Sequence, residues 1–232
     1  MIGPSNKGMK VTKRGRLRSR AACPWCSADL SKGCGAWAEA TLTRIVFEDV
    51  RRTRTSLPAI GTPRILRSLF RILDQTNLCS IATVTGAHRP HINTAYFCAS
   101  KQLVLYFLSH PNSQHCRNLS RHPHACVTVC SSKQPWGIPS QGVQLFGVCQ
   151  LATGRRELEA ERLYARNFPA YRRWRRSATK GHAGAEYRFY RLVVDSLKLV
   201  DEREIADGIV TRATVRRVEG RDMNLPRCRT RG

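Results

Sequence analysis

The amino-acid sequence predicts a mainly β domain, a small antiparallel barrel with helices at its rim. Three features carry that expectation. Six short runs rich in β-branched and aromatic residues lie between Leu78 and Val200, separated by turn-forming residues. Two segments, 63–77 and 155–174, repeat their apolar residues at helical rather than strand spacing. No apolar run reaches the roughly 18 residues that a membrane-spanning helix needs, so no membrane span is expected.

Taken in order, residues 1–62 show no sustained periodicity and end in the breaker-rich stretch SLPAIGTP. They read as a basic, poorly ordered extension. A helix begins at Pro63: Ile65, Leu66, Leu69, Phe70, Ile72 and Leu73 form one apolar face, Thr62 is placed to cap it, and proline suits its first turn. Strands follow at Leu78–Val84, His91–Ala99 and Leu103–Ser109, spaced as a meander. Asn112 or Ser113 can then cap a short helix running to about Ser120, which Pro123 stops. Two more strands are expected at Ala125–Ser131 and Gly142–Ala152. Gly147 inside the latter marks a bulge or a close backbone approach. A helix follows, with Leu158, Leu163, Tyr164 and Phe168 on its apolar face, ending near Pro169. Tyr187–Val200 is the sixth strand or strand pair, and Ile209–Val215 is one more candidate. The organisation is therefore an extension (1–62), a barrel domain (63–205) and a basic tail with a possible extra strand (206–232). No internal repeat is present.

The net charge is +24, which points to an anionic partner. Its distribution tempers that inference. Residues 1–62 hold twelve Lys/Arg against four Asp/Glu, 155–180 nine against three, and 208–232 seven against two. Most of the charge thus lies on the edges of the barrel domain or on one surface helix. Inside the domain, no acidic residue occurs between Asp74 and Glu157, while six of the seven histidines do. Such a segment suits an anionic ligand, although strands are in any case poor in Asp and Glu.

The basic start is not followed by an apolar stretch, so a secretory signal is not expected and a cytoplasmic location is. The ten cysteines are accordingly expected reduced, with Cys79, Cys98, Cys126, Cys130 and Cys149 serving as small hydrophobes in strands. Cys23, Cys26 and Cys34 form a CPWC…C cluster that lacks a nearby fourth ligand, so no metal site is assigned. The YRRWRRS stretch (171–177) interleaves aromatic residues with arginine, a composition found both in nucleic-acid patches and at solvated helix ends. No Ser-His-Asp or paired-carboxylate arrangement is readable, which leaves hydrolysis unsupported.

The succession of several runs resembles the pyridoxamine 5′-phosphate oxidase-like superfamily of FMN-binding split barrels. LVLYFLSHPNSQHCRNLSRHPHACVTV is similar to its strand, loop, short helix and next strand. GVQLFGVCQLATGRRELEAERLYARNFP is similar to the strand-then-helix that follows, NTAYFCASKQLVLYF to the preceding hairpin and YRLVVDSLKLVD to the late strand. The resemblance covers roughly residues 63–205 and is nearest to the short, poorly characterised bacterial members. It implies a six-stranded antiparallel split β-barrel of Greek-key type and a homodimer holding FMN at the subunit interface. It also implies a flavin-dependent oxidoreductase of unknown substrate.

By the same resemblance, Ser109, Ser113, Gln114 and His115 fall at the FMN phosphate, with Asn118 steadying their loop. Gln141 falls at the flavin, and Asn93, Thr94 and Ala95 at its ring. Gln114 and His115 stand where relatives commonly carry Arg and Lys. The Arg-x-His substrate motif of the true oxidase is not evident, so oxidation of pyridoxamine phosphate is not expected. The alternatives are a non-catalytic flavin or haem binder or sensor and a basic nucleic-acid-associated protein.

Overall fold

Most strands alternate as half-buried strands must, and the alternation decides which residues fill the barrel, while Val104–Phe107 is buried on both faces. The computed structural model describes residues 40–52, 59–178 and 186–217. Its strands are β1 (Thr41–Asp49), β2 (Leu78–Val84), β3 (Pro90–Ala99), β4 (Val104–Ser109), β5 (His124–Val129), β6 (Gln141–Leu151), β7 (Arg188–Asp201) and β8 (Ile209–Arg216). Its helices are α1 (Thr62–Asp74), α2 (Gln114–Arg121), α3 (Arg155–Asn167) and α4 (Tyr171–Ala178). None is long and apolar enough to cross a membrane.

All strand pairs are antiparallel. Their order is β1-β8-β7-β4-β3-β2-β5-β6, and β6 pairs back onto β7. Six strands, β2 to β7, thus close a barrel as expected, and β8 and β1 continue the sheet outward from β7. Ile81, Phe97, Leu105, Phe107, Val127, Leu145, Leu192 and Leu197 point inward and are almost wholly buried. Closure needs a break at Gly147. The β6–β7 register shifts between Phe146 and Gly147, and a Cβ on Gly147 would stand 2.1 Å from the Val193 carbonyl oxygen. Glycine is required there both for the bulge and for the close approach.

Each end of the barrel has its own helix. Ile65, Leu69 and Ile72 of α1 enter the core near the β6 start and the β7 end. There Arg71 donates to Gln141 Oε1 (2.8 Å) and to Asp201, and Ser68 also donates to the Asp201 carboxylate, which is fully buried. Cys116 and Leu119 of α2 enter the core at the opposite end. Outside the barrel, α3 and α4 cover the outer faces of β3, β4 and the start of β7. Tyr164 packs against Phe168, Tyr171 and Phe189, and Tyr106 donates to Glu159 (2.8 Å).

Several boundaries differ from the sequence reading. The segment 1–62, read there as an extension, contributes β1, whose partner β8 is the extra strand expected near 209–215. Local pattern missed β1 because an edge strand alternates weakly and earns its place through a partner 160 or more residues away. Gly61, not Thr62, is the N-cap of α1. The helix expected to end near Pro169 is followed by a second one, α4, and Leu158 lies exposed because Ala160 and Tyr164 form the buried stripe.

Cys126 and Cys130 are not core residues. Cys126 faces outward on β5, half-buried, and Cys130 lies past the end of that strand, exposed. Cys79, Cys98 and Cys149 are buried, and the six described cysteines are free thiols. Burial pushes Cys79 up to about 12 and Cys98 and Cys149 higher still, so these thiols stay protonated at neutral pH. Cys23, Cys26 and Cys34 lie outside the described residues.

Candidate functional site

Strand β4 ends on Ser109, whose side chain points inward at the α2 end of the barrel. The chain then turns through His110–Asn112 into α2. His110 holds this turn: its Nε2 lies 2.5 Å from Glu186 Oε2, and its Nδ1 accepts the Asn112 N–H (3.1 Å). Ser113 is the N-cap of α2, yet its hydroxyl makes no capping bond. It turns instead toward Ser109 Oγ (3.3 Å) and His115 Nε2 (3.2 Å), while Ser109 Oγ lies 2.7 Å from the same Nε2. Two hydroxyls and one imidazole nitrogen therefore converge on a point beside a helix N-terminus with no acidic residue in its first turn.

This arrangement suits an anion. The first backbone N–H groups of a helix lack intrahelical acceptors and carry the positive end of its dipole. Ser109 and His115 are buried, and burial holds the His115 imidazole below its ordinary range. The ring is therefore neutral near pH 7, and the three groups satisfy one another when no anion is present. An incoming phosphate exchanges those internal bonds for its own, so the donor set fits a phosphate group such as that of FMN.

Gln114 and Asn118 belong to the same cluster but work as struts. Gln114 Nε2 donates to Asn118 Oδ1 (2.8 Å), and Asn118 Nδ2 donates to Thr83 Oγ1 on β2 (2.9 Å). Arg117 folds back to donate to Gln114 Oε1 (2.8 Å) and to the Asn112 carbonyl. This relay was not readable from sequence. The acid-free composition hinted at Arg117, but Thr83 carried no signal.

The remaining expected residues lie elsewhere. Asn93 and Ala95 sit on the same side of β3 as His91 and are half-buried, whereas Thr94 faces outward. Thr94 begins a polar row that crosses the outside of the barrel through the pairs Thr94–Ser80, Ser80–Thr128, Thr128–Gln144, Gln144–Lys198 and Lys198–Arg212. A shallow groove of about 440 Å³ runs along its β6–β8 part. Beside it lies a more apolar row, Ile92–Ala82–Cys126–Phe146. Gln141 is not brought to the serine cluster. It sits at the α1 end, paired with Asp201, while Ser109 pairs with Arg188 at the other end of the same strand β7. Its side chain accepts from Arg71, and its backbone exchanges two bonds with the Gln134 amide. Among the described residues, no group of three or more His, Cys, Asp or Glu is placed to hold a metal ion.

Comparison with known proteins agrees with this architecture. No curated protein matches the sequence. Among solved structures, a heme binding protein from Mycobacterium smegmatis is 17% identical, with a TM-score of 0.49 over 62% of this chain and 55% of its own. ChuZ from Campylobacter jejuni is 13% identical, with a TM-score of 0.50 over 61% and 57%. The heme storage protein HutZ from Vibrio cholerae is 15% identical, with a TM-score of 0.48 over 58% and 93%. This chain thus spans little more than half the length of the first two. At such identities the likeness is one of fold. The family model described as pyridoxamine 5′-phosphate oxidase matches residues 67–201, more than half of the sequence and the whole of the closed barrel. The chain belongs to the pyridoxamine 5′-phosphate oxidase family.

Proposed function

We propose that the protein binds FMN and acts in the cytoplasm as a flavin-dependent oxidoreductase. The observation that carries this reading is the convergence of Ser109, Ser113 and His115 at the N-terminus of α2. Bound FMN supplies hydride and single-electron chemistry at its N5. The chain's own residues bind and orient it: Ser109 and Ser113 give hydroxyls to the phosphate, His115 adds an imidazole, and Gln114 and Asn118 hold the loop through Thr83. No protein acid or base is assigned.

Two copies of the chain form the working unit in this proposal. The half of the barrel not covered by α3 and α4 leaves Leu78, Val84 and Ile92 exposed, Ile92 by 70%. Val84 and Ile92 are diagonal neighbours on the outer face of β2 and β3, with Leu78 at the other end of β2, and such exposed aliphatic residues favour a partner surface. The polar row beside them, which starts at Thr94, gives that interface groups to face a flavin ring.

A second reading is a non-catalytic flavin or haem carrier. It is favoured by the donor set itself, whose hydrogen bonds include hydroxyls and a neutral imidazole but no guanidinium.

The visible absorption spectrum of purified protein, titrated with FMN and separately with haem, tests both. Flavin bands that shift on binding and disappear in the Ser113→Ala/His115→Ala double variant are the expected result. A Soret shift with haem and no perturbation of FMN transfers the assignment to the carrier. A protein that perturbs neither spectrum overturns both.

A further inference from the structure

The helical pair α3–α4 sorts its charges by side. Glu159 turns inward to Tyr106 and Arg156, and Glu161 is engaged by Arg175 and Tyr171. Helix α4 carries four arginines and no acidic residue in its eight positions, and Arg162, Arg172, Arg173 and Arg176 are all exposed. Between the two helices runs an open groove of about 470 Å³, lined by Leu158, Ala165 and Tyr171 together with Glu161, which Arg175 neutralises, and four arginines. Leu158 is 60% exposed there.

Of the aromatic residues of YRRWRRS, Tyr171 lines the groove and Trp174 is 37% exposed. Tyr171 is buried against Tyr164 and Phe189, and Trp174 meets Tyr187 edge-on. What faces solvent is a guanidinium-rich surface interleaved with apolar and aromatic side chains. Guanidinium groups match phosphate oxygens two at a time, and apolar and aromatic side chains beside them can take the face of an unpaired base. The chain-wide charge of +24 favours a polyanion over a locally acidic protein.

We propose that the outer surface of α3 and α4 docks single-stranded nucleic acid without sequence preference, gripping its phosphates through Arg162, Arg172 and Arg176. This surface is distinct from the serine cluster, so the proposal stands whichever cofactor reading holds.

The test is fluorescence anisotropy of a labelled 20-nucleotide oligothymidine with the full chain across a potassium chloride series. Each phosphate contact to a single strand contributes a slope of about −0.7 in log affinity against log salt. The wild type is expected to show a slope of about −2 or steeper. The variant R162Q/R172Q/R176Q is expected to lose about tenfold in affinity and to flatten the slope by about 2, with an unchanged flavin spectrum. The variant K13Q/R14Q/R16Q, in the basic extension, is expected to bind nearly as the wild type does. Unfolding midpoints check that all variants fold, and R172Q alone replaces the triple variant where it does not. Loss of binding in the extension variant with none in the helix variant overturns the proposal. So does tighter binding to duplex DNA than to the single strand, or capture by phosphatidylglycerol vesicles without capture of the oligonucleotide.

Discussion

His115 is the residue on which the site turns. It is a buried, neutral imidazole shared by two serine hydroxyls. Because burial lowers its pKa below the ordinary value of about 6.5, the unfolded chain takes up a proton that the native protein resists. Stability is therefore fully present above that value and declines as pH falls below it. His115→Gln should flatten the fall in melting temperature between pH 7 and pH 5. A bound phosphate reverses the preference, since a dianion favours the charged ring. FMN affinity should thus rise as pH falls from 8 toward 6.5, and calorimetry should record proton uptake. Riboflavin, which has no phosphate, should show neither effect, and neither should FMN with the Gln variant.

At the scale of elements, two joints hold the barrel to its helices and its seam. The first is the α1 joint, where Arg71 and Ser68 meet the buried Asp201 carboxylate beside Gln141. Arg71→Ala leaves that carboxylate short of its counter-charge. Because the Arg71 side chain is 34% exposed, the cost should fall at or below the low end for a broken buried pair, about 2–3 kcal/mol by urea unfolding. Gln141→Ala should lower the melting temperature and leave FMN affinity within about twofold, because its side chain is committed to Arg71. The second joint is Gly147. Alanine there drives a Cβ against the Val193 carbonyl, and the expected loss is about 1–3 kcal/mol or more, read as a lower urea midpoint. The elements themselves were largely legible in sequence: the six barrel strands follow from short runs of β-branched and aromatic residues between turn formers. The joints were not, since Arg71 and Asp201 lie 130 residues apart and no local pattern pairs them.

At the scale of the molecule, the covering of the barrel is uneven. Helices α3 and α4 shield one side, and β2, β5 and much of β6 present their outer face uncovered. Ile92→Asp should leave the fold intact, because the side chain is on the outside, and convert a dimer to a monomer in light scattering. Loss of the flavin bands in the same variant would tie cofactor retention to pairing; retention of flavin by the monomer would separate them.

Sequence alone determined the barrel's six strands and the strand-to-helix turn bearing Ser109, Ser113 and His115, and it marked Gly147 as a bulge or a close approach. These are local properties, carried by residue type, by turn-forming residues and by the absence of a side chain. Only the tertiary structure decided that Ser113 abandons its capping role for His115 and that Gln141 belongs to the opposite end of the barrel. It also decided that Tyr171 of α4 is buried while Arg172, Arg173 and Arg176 face solvent, and that residues 41–49 add a strand. Each of these depends on a partner far away in the chain, and side-chain direction is settled by what lies across the gap rather than by the neighbours in sequence.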